Sequence, residues 1–338
     1  VEAILKNVTG ANDSKSRVFV FGVGHDVNTK LLDRLAEDNH GAPDYVTEKE
    51  DIEVKVSNFY QKVASPVLAD VTLAFPGLKV TEMYPREVGD LFRGSQLMVL
   101  GRFDGGGHKA VKLAGTVDGK AREFVFETTF AETKDNTFLP RLWATRKVAY
   151  LLDEIRLHGK NQELVDEVVR LGKRHGIMTP YTSFLVVEDG ARPQLEARLG
   201  GARMSLEGQA SGRGAVERAR ELAEAKGGAN SALPAPAKPG EPAADFYGFA
   251  EAEKKDLGRM ATTRIVHIAG KTFYHKPDGV LYDSLYDEAK HKDKIIEVKA
   301  LSDEYFALLK QHDGIGRFLA EGKPMVLIFD GKVYRIKI

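Results

Sequence analysis

The sequence predicts a multidomain α/β plus β chain. It reads as a partial Rossmann-like α/β unit, an antiparallel β-sandwich with a helical hairpin, a disordered linker and a small α+β C-terminal domain. Three observations carry that prediction. The apolar run Arg17-Val18-Phe19-Val20-Phe21 leads through Gly22-Val23-Gly24 into a segment of helical spacing, the order of a buried parallel strand feeding a helix. Short alternating runs between residues 66 and 130, broken by Gly- and Asp-containing turns, have the period of antiparallel strands. Residues 190–245 contain no aromatic side chain, and 14 Ala, 9 Gly and 5 Pro fill 28 of the 56 positions. That composition offers too little apolar surface to offset chain entropy.

Taken in order, Val1-Glu2-Ala3-Ile4-Leu5 reads as the end of a helix. Asn28 is placed to cap a second helix whose apolar face is Leu31, Leu32, Leu35 and Ala36, with Asn39-His40-Gly41 as its stop. These elements make up residues 1–57. The strand runs Asp70 to Phe75, Gln96 to Phe103, Ala110 to Val117 and Arg122 to Phe130 are separated at Pro76-Gly77, Asp104-Gly105-Gly106-Gly107 and Asp118-Gly119. Helical spacing returns with Leu142, Val148, Leu151, Leu152 and Ile155 on one face, and with Leu164, Val168 and Leu171 on a second. A strand over Tyr181 to Val187 closes the 58–189 segment. Residues 190–255 read as linker, with a transient helix near Val216 to Ala225. In 256–338, strands Arg264 to Ile268, Lys294 to Lys299, Met325 to Phe329 and Val333 to Ile336 surround a helix from Asp303 to Lys310.

Composition excludes several function classes. The 49 Lys+Arg and 49 Asp+Glu of the 338 residues cancel, so the chain lacks the basic footprint of a nucleic-acid binder. It has no cysteine, which removes disulfides, thiolate metal sites and a cysteine nucleophile. No run approaches the roughly 18 apolar residues of a membrane span, and no signal pattern opens the chain, so direct membrane insertion by this segment is not expected. The first residue is Val1 rather than Met, from which processing or truncation upstream is expected.

Motifs that carry chemistry are sparse. Gly22-Val23-Gly24 before a helix is the start of a dinucleotide-binding turn, but a third glycine and a following acidic residue are missing. It supports a nucleotide-binding enzyme only as an alternative. Asn12, Ser14 and Ser16 imitate a carboxylate–hydroxyl cation loop, yet Asn lacks the charge and the run precedes a strand instead of following one. The nine histidines show no metal-ligand spacing, and Gly94-Ser95 lacks the frame of a serine nucleophile. Arg141, Trp143, Arg146 and Lys147 form a basic-aromatic cluster at a helix start, with Trp143 expected in the core and the charges on a solvated face. Tyr274, Tyr282, Tyr286, Tyr305 and Phe306 could give the last domain an aromatic docking surface, as in a structural cell-envelope module, although alternating strand positions would bury several of them. No catalytic, cofactor-binding or metal residue is nominated.

Residues 18–41, Val-Phe-Val-Phe-Gly-Val-Gly-His-Asp-Val-Asn-Thr-Lys-Leu-Leu-Asp-Arg-Leu-Ala-Glu-Asp-Asn-His-Gly, resemble the late strand and closing helix of a von Willebrand factor A domain. Asn58-Phe59-Tyr60, Ala64-Ser65-Pro66-Val67-Leu68, Leu139-Pro140-Arg141-Leu142-Trp143-Ala144 and His175-Gly176-Ile177-Met178-Thr179-Pro180-Tyr181-Thr182-Ser183 follow in order. They resemble the region after the A domain in inter-α-trypsin inhibitor heavy chains and their bacterial relatives. The resemblance implies a partial, Rossmann-like A domain in 1–57, and an upstream vault-inter-α-trypsin (VIT) domain and A-domain segment against which this chain packs. It implies a non-enzymatic interaction or adhesion scaffold with a protein ligand, outside the cytoplasm. The family's adhesion site holds Mg²⁺ or Mn²⁺ through residues upstream of the position matching Val1. None of those ligands is carried over, and no cofactor is expected in this segment itself. Residues 256–338 resemble, more loosely, tail domains of bacterial proteins of this type.

Overall fold

The computed structural model describes residues 1–14, 16–48, 50–63, 66–92, 96–131, 138–182, 208–226, 264–276 and 278–338. The chain divides into two compact units. One comprises Val1–Asn136, Thr145–Lys160 and Met204–Pro234, the other Thr137–Ala144, Asn161–Arg203 and Ala235–Ile338.

The first unit opens with helix α1 (Glu2–Ala11), which is longer than the helix end read from Val1 to Leu5. Strand β1 (Val20–Val23), helix α2 (Thr29–Glu37) and strand β2 (Pro43–Val46) form a β-α-β unit whose strands pair in parallel, Val20 opposite Pro43 and Val23 opposite Val46. The Asn28 side chain accepts from the Leu31 amide at 3.0 Å and so caps α2. β1 runs on through Gly22 and Val23, so the turn starts at Gly24, with φ +79°. At Gly41 the backbones come so close that an added Cβ would stand 1.9 Å from the Val18 carbonyl oxygen, and only glycine fits there. Helix α3 (Ile52–Val63) leads into the antiparallel part.

That part contains β3 (Pro66–Ala74), β4 (Lys79–Tyr84), β5 (Leu91–Phe92), β6 (Leu100–Asp104), β7 (Gly107–Val117) and β8 (Lys120–Phe130). They form a four-stranded sheet in the order β5-β3-β7-β8 and a two-stranded sheet β4-β6. The long β7-β8 hairpin turns at Asp118-Gly119, both in the left-handed region, as the sequence implied. Phe130 meets Phe103 edge-on at 5.3 Å and Phe75 at 6.5 Å, a cluster joining residues of β6 and β8.

Within the expected linker 190–255, the helix expected near Val216 to Ala225 is present, and it is packed where a transient one was expected. Arg213–Lys226 form a helix, α6, with Val216 fully buried and Ala215, Ala219 and Leu222 nearly so. Val216 and Ala219 share a core with Tyr45, against which Val27 and Leu32 pack. The Gly212 amide donates to the His25 carbonyl and the Thr29 amide to the Ala210 carbonyl, each at 2.7 Å. Small residues allow α6 to lie close to β2 and α2, so an alanine-rich stretch becomes core instead of spacer.

A buried ion network ties α6 to the rest. Helix α4 (Leu139–His158) supplies Asp153 and Arg156. Asp33 and Asp153 are 4% exposed and Arg156 is 3%. Arg156 Nε donates to Asp153 at 2.9 Å, its Nη2 pairs with Asp33, and Lys226 Nζ pairs with Asp153 and donates to Glu37 at 2.8 Å. The Tyr45 hydroxyl donates to Asp33 at 2.5 Å. Burial pushes the Asp33 carboxyl above its ordinary range despite Arg156 and Tyr45. Burial acts the same way on Asp153, but the Lys226 and Arg156 charges outweigh it and hold that carboxyl low.

The second unit contains α5 (Gln162–His175) and the C-terminal sheet. The sheet is built from β9 (Arg264–Ile268), β10 (Lys271–His275), β11 (Leu281–Asp283), β12 (Ile295–Lys299), β13 (Met325–Phe329) and β14 (Lys332–Lys337), in the order β12-β14-β13-β11-β10-β9. Short helix α7 (Glu288–His291) precedes β12, and α8 (Asp303–Gln311) and α9 (Gly316–Leu319) cover the core face, where Phe273, Leu281, Ile315, Phe318, Met325 and Leu327 are buried. The mixed α/β character expected here is present. The strand expected over Tyr181 to Val187 falls mainly outside the described residues, and Tyr181 and Thr182 lie in a turn.

Replacing Arg156 with Met leaves two buried carboxylates facing each other. The expected loss is about 3–5 kcal/mol of unfolding free energy, read by urea denaturation. Lys226→Met should cost less, because Asp153 keeps Arg156; an equal or larger loss would contradict the network's hierarchy.

Candidate functional site

The Gly22-Val23-Gly24 turn is closed to a phosphate. A Cβ on Gly22 would lie 2.7 Å from the Tyr45 ring, so this glycine answers to packing. The Thr29 amide at the start of α2 is taken by Ala210 and the Leu31 amide by Asn28, which removes donors a pyrophosphate would need. Asn12, Ser14 and Ser16 bind one another. The Asn12 side chain donates to the Ser16 carbonyl and accepts from the Ser16 amide, both at 2.7 Å, and the two serine hydroxyls lie 2.8 Å apart. Among the described residues no group of three or more His, Asp or Glu could hold a metal ion.

The basic-aromatic cluster at the start of α4 is not a surface. Trp143 is 8% exposed, as expected of a core residue, but Arg146 and Lys147 are also buried. Arg146 donates to the Met98 carbonyl at 2.9 Å and Lys147 pairs with Glu82, so groups expected on a solvated face are instead bonded to residues distant in sequence. The tyrosines of the last domain divide similarly. Tyr274 donates to the Lys173 carbonyl at 2.8 Å, whereas Tyr282 and Tyr286 lean together at 5.7 Å with Lys276 over the Tyr282 ring at 4.2 Å. Among these aromatics Phe306 is exposed, at 47%.

Within the second unit, two of the segments that carry the family resemblance converge with the sheet. Helix α5 ends at Gly176, φ +62°, whose added Cβ would stand 2.9 Å from Ile265, 3.0 Å from Thr272 and 3.1 Å from the His267 ring. The next residues fold into a tight knot: the Thr179 amide donates to the Thr182 hydroxyl at 2.8 Å, and that hydroxyl donates to the Ile177 carbonyl at 3.0 Å. Sheet side chains cap the last turn of α5, Tyr274 on the Lys173 carbonyl and Ser284 on the Arg174 carbonyl at 3.2 Å. His175 is thereby fixed near β9 and β10.

Arg141 completes this corner. Its Nε is fully buried without a hydrogen-bond partner, and burial alone, with no carboxylate opposing it, lowers its pKa. Its charge also acts on His175 and His267. Burial, then the charges of Arg174, Arg170, Arg141 and His267, pushes His175 down to about 4. Burial of its inner side and the Arg141 charge hold His267 well below the usual imidazole range, although its outer edge reaches solvent. The Thr272 hydroxyl lies 3.2 Å from His267 Nδ1. Sequence reasoning placed Arg141 and His175 in family segments without pairing them, and His267 gave no signal.

The described residues thus form mixed α/β sheets. No protein-family model matches the chain. It is similar to inter-α-trypsin inhibitor heavy chain H4 of Homo sapiens, 29% identical over 226 residues covering 62% of this chain and 24% of that protein. Heavy chain H2 of Homo sapiens is 28% identical over 202 residues, 56% of this chain and 21% of its own length. Heavy chain H3 of Homo sapiens is 26% identical over 204 residues, 55% and 22%. The chain resembles the inter-α-trypsin inhibitor heavy chains, and spans about a quarter or less of the length of these relatives.

Because folding depresses the His175 pKa, the unfolded state takes up its proton first as pH falls. Stability is therefore present above the ordinary histidine value of about 6.5 and is lost as pH falls from there towards about 4. Urea unfolding followed between those pH values should show this slope in the native chain and a shallower one in His175→Gln.

Proposed function

We propose that this chain is the downstream part of a heavy-chain-like protein and serves as a non-enzymatic scaffold for protein interaction. In this reading residues 1–57 are the closing portion of a von Willebrand factor A domain. The antiparallel strands after it are the sandwich that packs with an upstream VIT domain. The complete protein binds a protein ligand through a divalent cation, Mg²⁺ or Mn²⁺, that is incompletely coordinated by protein oxygens and accepts a carboxylate from the partner. The protein works outside the cytoplasm. Among the described residues no helix is long and apolar enough to cross a membrane.

The observation that carries this reading is the likeness to three heavy chains over more than half of this chain. A two-stranded parallel sheet supports it further. β1 and β2 pair only with each other among the described residues, while parallel strands of this apolar kind normally have neighbours on both edges.

Under this reading millimolar Mg²⁺ or Mn²⁺ leaves the melting temperature of the chain where salt of equal ionic strength leaves it, because the cation's ligands lie elsewhere. A metal-specific, saturable rise would show that this segment binds the cation itself and would sink the scaffold assignment.

A further inference from the structure

We propose that strand β8 is the seam of a twofold dimer, in which a second copy of this chain adds its own β8 antiparallel to the first and centred on Phe124. β8 spans 11 residues and is the last strand of its four-stranded sheet. Every residue from Lys120 to Thr129 is exposed. Three devices that protect sheet edges, shortness, proline and a bulge, are missing. The strand is long, contains no proline and keeps an unbroken register with β7, whereas β3 is bulged against both of its neighbours.

The hairpin turn fixes which backbone groups face outward. Asp118 and Gly119 have φ of +49° and +72°, so the turn is of the two-residue kind whose flanking pair, Val117 and Lys120, exchanges both backbone bonds. Alternation from that pair spends the amides and carbonyls of Lys120, Arg122, Phe124, Phe126 and Thr128 on β7. Those of Ala121, Glu123, Val125, Glu127 and Thr129 point away from it, and no described strand lies beyond them. Side chains alternate in the same way between the two faces. Phe124 and Phe126, 45% and 55% exposed, share one face with Leu113 and Val111 opposite them on β7. On the other face Glu123 is held by Lys112 at 3.0 Å, and Glu127 lies 3.3 Å from His108.

A second copy matches this edge. About a twofold axis normal to the sheet, antiparallel strands set outward groups against outward groups and one aromatic face beside the other. Charge selects the register. Pairing Val125 with its own copy would oppose Glu123 to Glu127 on both sides of the axis, and like charges directly opposite are unfavourable. With Phe124 opposite its own copy, Glu123 meets Val125, Glu127 meets Ala121, and Arg122 lies opposite Phe126, where a cation covers an exposed ring. The rings of Phe124 and Phe126 from both copies then form one stripe. Centring on Phe126 also separates the acids, but it sets Arg122 against Phe130, whose ring already meets Phe103 and Phe75, and leaves Phe124 opposite Thr128.

Sedimentation velocity on the full chain over a concentration series should show a reversible monomer–dimer equilibrium. Val125→Pro removes an outward amide without touching a bond to β7, so the circular dichroism spectrum should stay unchanged while association weakens by about tenfold or more. The chain has no cysteine, which makes the register directly readable. Phe124→Cys should form a disulfide-linked dimer under air oxidation, because the Cα atoms of such an opposed pair stand about 4.5 Å apart. Phe126→Cys should not, its two copies standing roughly 13 Å apart along the strands. Cross-linking through Phe126→Cys instead, or dimers undiminished by Val125→Pro, would overturn the proposal. A chain that is monomeric at every concentration leaves the edge to a strand of another protein or to none, and overturns it as well. Because the readout is mass and not a cation-dependent melting temperature, the dimer and the scaffold reading can fail separately.

Discussion

Arg156 is the interaction on which the first unit depends. It sits in the interior between a carboxylate of α2 and one of its own helix, and a second cation, Lys226, arrives from α6 to share Asp153. Removing charges from water costs several kcal/mol each unless partners are fixed in place. Helix α6 thus adds a second cation beside the buried Asp153. Tyr45 serves twice, donating its hydroxyl to Asp33 and packing its ring where a Gly22 side chain would otherwise stand. Hydrophobic contact and charge pairing thus impose the same arrangement on β1, α2, β2 and α6.

That coupling explains what was legible in the sequence and what was not. The apolar run, the Asn28 cap and the turn at Asp118-Gly119 are local signals, and each element appears where local chemistry places it. Helix α6 has only a faint local signal: Ala215, Val216, Ala219 and Leu222 do fall on one helical face, but alanine contributes little apolar area. That spacing predicts the helix near Val216 to Ala225, and the composition of the whole stretch makes it read as transient. The decisive facts are the ion pairs of Lys226 and the backbone bonds to residues 25 and 29, which no window of sequence contains. Arg146 and Lys147 show the same limit. Cations on a helix read as solvated, yet their partners are Met98 and Glu82, 48 and 65 residues away.

The candidate site was half legible. Arg141 and His175 lie in segments whose order pointed to a family, and a family segment says that a residue matters without saying what it touches. His267 belongs to a strand that the same pattern places in a separate domain, although strands β9 and β10 pack against the end of α5. Gly176 marks that junction. A left-handed glycine at a helix end is an ordinary stop signal, and only the folded chain shows that its missing side chain also makes room for His267.

A divalent-cation adhesion site requires converging carboxylates, and the acidic groups converging in the first unit, Asp33, Asp153 and Glu37, are already satisfied by Arg156 and Lys226. They have no unpaired charge to offer a metal. Acids that are paired internally stabilise the first unit, whereas Arg141 of the second keeps a buried Nε without a hydrogen-bond partner. A net charge of zero conceals this asymmetry.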